Sequence, residues 1–373
     1  MNLSFLRPLY QQPGPWASVY LDATHNRTDA DHAIWLRWAS LRGKLADQGA
    51  DEATLVAMDI AVNPDQGVAP GRVGLAVFAA GGQVALAEPL PQPPPVELAT
   101  WSTRPQTGML LSTGHEQVQW VRVVVDRTGA QLTAVDTGRL RINKEVSGSQ
   151  EYPINISEQG GWAQARYERA ANVAWDRNQQ DVIPRLTTIV DGIGADIIIV
   201  AGDVKARQML IDRLPARLAE RVVESDTGSK ALGAQQQHLD DITAQEVARV
   251  AGHRRCEVLD RYRMDLSKGF ATQGMPAVTE AAWHGAPAFL LLSMGADRPQ
   301  LWVDPDDCRA VATDPQVLRD AGVTKPAQET ADAALIGAAA ATDADVFAIS
   351  TEEEQLLDGV GAILRYQDVS AQE

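Results

Sequence analysis

Between Asp196 and Asp203 the chain reads DIIIVAGD, an unbroken apolar run from Ile197 to Ala201 closed by Gly202. A strand with one wet face alternates apolar and polar residues, so an uninterrupted run is covered on both faces. Such a strand needs layers above and below a mixed or parallel sheet, which commits this part of the chain to a layered α/β architecture. Its neighbours agree. WVRVVVDRTGAQLTAV (120–135) reads as two strands paired around Thr128-Gly129, and residues 235–264 read as a long polar helix.

The flanking segments show the same mixture. WASVYLD (16–22) is a strand by its β-branched and aromatic content, and Ile34, Trp38, Leu41 and Leu45 mark one face of a helix. Thr28 and Asp31 have the spacing of a weak capping box. Another helix covers about 51–62. RVGLAVFAAGGQVALAEP (72–89) reads as a hairpin turning at Gly81-Gly82, and PLPQPPPVEL (89–98) as a stiff extended connector that continues neither strand nor helix. Leu3, Phe5, Leu6 and Leu9 are expected to pack on this first domain. From Gly274 onward helices and strands alternate again, ending in GVGAILRY. At 373 residues the chain is too long for one core. Three α/β domains are expected, at 1–115, 116–265 and 266–373.

The net charge of −16 restricts partners. Nucleic-acid binders are usually basic, because phosphate neutralisation supplies most of their affinity. Any RNA contact must therefore be local, or the acidic surface must meet basic protein. DPDD (304–307), DADV (343–346) and TEEEQLLD (351–358) concentrate acid towards the C-terminus and read as solvated surface. Cys256 and Cys308 lack metal or disulfide spacing, which points to reducing cytoplasm. No membrane span, leader, metal site, cofactor or DNA-binding motif is expected. Hydrolase, nucleotide and dinucleotide signatures are missing, and the six histidines show no ligand spacing.

One segment stands apart: Gly160-Gly161-Trp162-Ala163-Gln164-Ala165-Arg166-Tyr167-Glu168-Arg169, opening a long helical pattern that runs to about Val190. Two glycines let the backbone approach a crowded surface. A helix start presents free N–H groups to phosphate. Arg166 and Arg169 share a face, and Trp162 offers a plane on which a base can stack. The simpler reading is a turn whose Trp162 packs on its own domain. Gly81-Gly82-Gln83, by contrast, lies between two strands with no helix after it, so it reads as a hairpin turn.

This order of hairpin, Gly-Gly loop, long helix and DIIIVAGD strand resembles the middle domain of archaeo-eukaryotic class-one peptide release factors. EEEQLLDGVGAILRY resembles their last domain, which is similar to kink-turn-binding proteins. The resemblance covers roughly 116–373 and looks most like the bacterial branch, the group that includes the ribosome hibernation factor Balon and its actinobacterial relatives. It implies a ribosome-binding, release-factor-like protein of hibernation or stress. Such a protein occupies the A site and places the loop at the peptidyl-transferase centre. The family's water-positioning glutamine is replaced by Trp162, an indole with one donor and no acceptor. Occlusion without hydrolysis is the expectation, with no catalytic residue. The alternative is a peptidyl-tRNA hydrolase or tRNA nuclease using Gln159 or Gln164.

The resemblance also implies RNA contact by Gly160, Gly161, Trp162, Gln164, Arg166, Tyr167 and Arg169. His25, Asn26 and Arg27 would face the decoding centre, or simply form a polar loop before a helix. Arg139 and Arg141, with Lys144, touch RNA or merely balance surface charge. Gly359, Gly361 and Arg365 resemble a partner-facing loop, or a turn entering a strand. Implied partners are rRNA, ribosomal proteins and elongation factor Tu. DPDD is expected to cap a helix and not to hold a metal.

Overall fold

The computed structural model describes residues 6–24, 30–62, 73–90, 92–112, 118–126, 129–136, 141–147, 182–225 and 234–366. They gather into two compact units, one joining Met1–Glu116 with Arg255–Glu373 and the other spanning Gln117–Arg254. The architecture is mixed α/β throughout.

The first segment comprises α1 (Arg7–Tyr10), β1 (Trp16–Asp22), α2 (Ala30–Asp47), α3 (Glu52–Ala61), β2 (Gly74–Ala80), β3 (Gln83–Leu90), β4 (Leu98–Ser102) and α4 (Gly108–Ser112). Its antiparallel sheet has the order β3-β2-β1-β4. Strand β1 is central and covered on both faces. Ala17, Val19 and Leu21 meet Ile34, Trp38, Leu41 and Leu45 of α2, as the helical spacing requires. Trp16 and Tyr20 enter a second core. Gly81 and Gly82 have φ of 56° and 77°, the left-handed pair of a two-residue hairpin turn. Pro89 departs from the expected connector, because β3 continues through it to Leu90. Strand β3 is the outermost of its sheet, and an edge strand tolerates a residue without N–H.

The second unit contains β5 (Trp120–Val125), β6 (Gly129–Val135), β7 (Arg141–Ser147), helix α5 (182–193), β8 (Ile197–Gly202), α6 (Val204–Ile211), α7 (Ala216–Ala219) and β9 (Val222–Glu224). Helix α8 (Ala234–Leu266) starts in this unit and continues into the other at Arg255. The sheet order is β7-β6-β5-β8-β9, antiparallel on the β7 side and parallel from β5 to β9. Strand β8 is buried at every position, between two parallel neighbours.

The third segment holds β10 (Ala271–Gln273), α9 (Met275–Trp283), β11 (Pro287–Ser293), β12 (Leu301–Val303), β13 (Val311–Ala312), α10 (Pro315–Asp320), β14 (Ala327–Glu329), α11 (Ala331–Ala341), β15 (Asp345–Ile349) and β16 (Val360–Leu364). Two sheets result, β10-β16-β11-β15 and β13-β12-β14. The alanine-rich α11 is buried from Ala331 to Ala340, with only Asp332 partly open. Leu6, Leu9, Tyr10 and Trp16 of the first segment share one core with Val278, Leu335, Ile336 and Val360 of the third. Leu3 and Phe5 lie outside the described residues.

The acidic runs differ in part from expectation. DPDD does not cap a helix; it turns the chain between β12 and β13. Asp304 accepts from the Asp306 N–H at 3.0 Å, and Asp307 from the Arg309 N–H at 2.9 Å. The Arg309 guanidinium holds the Asp307 carboxyl below the usual carboxylate range. In the last run, Glu353 pairs with Arg255 at 3.1 Å and Glu354 with Arg263 at 2.7 Å, so part of it is tied to α8.

Candidate functional site

In the second unit the sheet is built before any site is. Val121, Val123 and Val125 of β5 point to one face with Ile198 and Val200 of β8. Val182, Leu186, Ile189 and Val190 of α5 close over them, with Leu210 of α6 and Leu218 of α7. The opposite face carries Ile197 and Ile199 and is covered by Val247, Val250 and Ala251 of α8. Arg122 stands among the valines of β5 on the α8 side. Its guanidinium donates to Asp240 and, at 3.3 Å, to Thr243, and lies 5.8 Å from the Trp120 ring. The signal for that contact was an arginine interrupting WVRVVV, since a buried charge demands a partner. No recognised motif marks it in the sequence.

The parallel strands end in a backbone constriction. Gly202 has φ of 117°, and a Cβ there would lie 1.9 Å from the Val125 carbonyl oxygen. Asp203 then caps α6, accepting from the N–H groups of Lys205 and Ala206 at 3.1 and 3.2 Å. At the other end of β8, Asp196 accepts from the Gln119 N–H at 2.9 Å and pairs with Arg254. On α5 and α7, Asp191 and Arg217 form a two-pronged pair, and that guanidinium lowers the Asp191 pKa.

The loop lies between β7 and α5 in sequence. Gly160, Gly161, Trp162, Gln164, Arg166, Tyr167 and Arg169 fall outside the described residues, as do Gln159, His25, Asn26, Arg27, Thr28 and Arg139. Arg141 opens β7 opposite Val135, and Lys144 is exposed on the same strand, opposite Leu132.

The three third-segment candidates are fully described, and each has an internal duty. Gly359 has φ of 69°, and a Cβ there would come within 2.7 Å of the Ala296 Cβ. Gly361 is buried in β16, where a Cβ would stand 3.0 Å from the Tyr262 hydroxyl oxygen. Burial pushes that hydroxyl up to about 12. Arg365 donates to the carbonyls of Gly285, Thr342 and Asp343 at 2.7–2.9 Å, satisfying chain ends after α9 and α11. Gly81-Gly82-Gln83 sits against α3, with the Gly82 N–H donating to Thr54 Oγ1 at 2.9 Å. Among the described residues no cluster of His, Cys, Asp and Glu is arranged for a metal, and no helix is long and apolar enough to cross a membrane.

Residues 119–268 match the family model described as bacterial archaeo-eukaryotic release factor family 2. Over nearly its whole length the chain is similar to uncharacterised proteins from two strains of Mycobacterium tuberculosis. Each is 29% identical over 372 residues, covering 98% of this chain and 97% of the other. Solved structures similar to it include archaeal translation termination factor aRF1, at 16% identity and TM-score 0.27, covering 97% of this chain and 96% of that one. Saccharomyces cerevisiae Dom34, described as a translation termination-like factor, matches at 15% identity and TM-score 0.37 over 81% and 82%. Archaeoglobus fulgidus Pelota matches at 15% and 0.32 over 97% and 92%.

Proposed function

We propose that this chain is a release-factor-like translation factor that binds the ribosome and holds it inactive during dormancy or stress. It enters the A site and sets Gly160-Gly161-Trp162 at the peptidyl-transferase centre without hydrolysing peptidyl-tRNA. The observation that carries this reading is the family match over 119–268, which contains the whole segment from Gly160 to Arg169. Within that match an indole stands directly after the two glycines. An indole stacks on bases but has no acceptor with which to orient a water.

Charge supports the same division of labour. Residues 117–254 carry 17 Lys and Arg against 18 Asp and Glu, so the excess acid belongs to the remainder. RNA contact therefore falls to the second unit, through Arg166, Arg169, Arg139 and Arg141, with His25, Asn26 and Arg27 as a separate contact near the decoding centre. The acidic remainder meets basic ribosomal protein or a delivery factor such as elongation factor Tu. Gly359, Gly361 and Arg365 act there by shaping the turn into β16.

Sedimentation with vacant ribosomes tests this. The protein should travel with the ribosomal particles, and Trp162→Ala should release most of it. Protein left at the top of the gradient ends the proposal. Release of peptide from peptidyl-tRNA complexes, abolished in Gln164→Ala, would establish the hydrolase in its place.

A further inference from the structure

A buried polar cluster joins the first and third segments, and the proposed function makes no use of it. Residues 102–107 run between them. On one side Gln106 donates its N–H to Ser18 Oγ at 3.0 Å, and its carbonyl accepts from the Tyr20 hydroxyl at 2.7 Å. On the other side Glu329 accepts from the Arg104 N–H at 2.9 Å and from Gln106 Nε2 at 2.7 Å. Gln106 Oε1 accepts from Thr330 Oγ1 at 2.8 Å. Arg104, only 3% exposed, donates its guanidinium to the carbonyls of Asp304 and Pro305. Tyr10 shares a 2.6 Å hydrogen bond with Thr107 and accepts at its carbonyl from Cys308 Sγ.

Glu329 and Gln106 also bond within their own segments, to the Thr330 N–H and to Ser102 Oγ. The bonds made across the junction nevertheless fix its register, because another alignment leaves Arg104 and part of Glu329 short of partners. The apolar surroundings act in the same direction. Helix α11 is covered on one side by the third segment's own strands and on another by α1, where Gly337 lies against the Tyr10 ring. Without the first segment that side of α11 faces water, and without α11 so do Leu9 and Tyr10. The core that holds Leu9, Tyr10, Leu335 and Ile336 is closed by neither segment alone.

We infer that residues 1–116 and 255–373 form one discontinuous domain that unfolds as a unit, with Glu329 and Gln106 as its bolt and residues 117–254 as an insertion. A partner that binds the first segment is thereby fixed in register with the third.

Hydrogen exchange of the full chain, read by mass spectrometry, tests this. Amides of β1 and of α11 should share one protection factor. Glu329→Ala should lower both by the same factor, about tenfold or more, and leave β5 and β8 unchanged. Gln106→Ala removes one side chain at a half-buried position and gives the same readout if Glu329→Ala fails to fold. Unequal protection of β1 and α11 in the unaltered protein, or a loss confined to the third segment in either variant, overturns the inference.

Discussion

At Gly202 one hydrogen atom decides whether the central strands can pair. The 1.9 Å approach of a Cβ to the Val125 oxygen is far inside van der Waals contact, and the φ of 117° is one that other residues rarely adopt. Gly202→Ala should destabilise the second unit by about 3 kcal/mol or more, seen as an early transition in urea. Asp51 is a milder case. It caps α3, accepting from the Thr54 N–H at 2.9 Å and from Thr54 Oγ1 at 2.8 Å. Those bonds, the hydroxyl's first, hold its carboxyl below the usual range. A depressed folded pKa means the contribution is complete above the unfolded pKa of about 3.9 and fades as pH falls through the lower folded value. Asp51→Ala should cost about 1 kcal/mol at neutral pH, and the difference from the unaltered protein should shrink in acid titrations followed by circular dichroism.

Elements were legible where burial leaves a periodic or continuous trace. Strand β8 announced itself by five apolar residues, α2 by its four-residue face, and the first hairpin by Gly81-Gly82. Helix α11 is different: its alanines say that neighbours come close, but not which neighbours. Tyr10 and Gly337 are distant in sequence, and a contact between them has no period to read. The same holds for Glu329 with Arg104. At Asp304 and Asp306 the contact is local, but a turn between two strands replaces the expected helix cap. Of the candidate site, Gly160, Gly161 and Trp162 form a motif in the sequence but lie outside the described residues, whereas the described pair of Arg122 with Asp240 has no motif to read. Two substitutions test the packing. Gly337→Val adds bulk where even a Cβ lies 3.2 Å from the Tyr10 ring, and should cost about 1–3 kcal/mol in the first unit. Leu186→Ala empties a fully buried site under α5 and should cost about 2–5 kcal/mol, read as a lower melting temperature of the second unit.

At the scale of the whole molecule the governing fact is where the charge resides. The chain carries −16, and 117–254 is nearly balanced, so a polyanion is repelled by most of the protein and met by a few arginines. These two terms respond oppositely to salt. Added ions compete with the arginine–phosphate contacts, which alone would give a steep loss of affinity. They also screen the repulsion from the acidic segments beyond about 10 Å. If Trp162 stacks on a base as proposed, that contact is largely indifferent to either. Ribosome affinity should therefore fall by less than about tenfold between roughly 50 and 200 mM potassium chloride, whereas a basic protein with many phosphate contacts loses about a thousandfold or more. Co-sedimentation across that range measures it. A steep slope would mean that phosphate contact dominates, and that the indole contributes little to holding the factor in place.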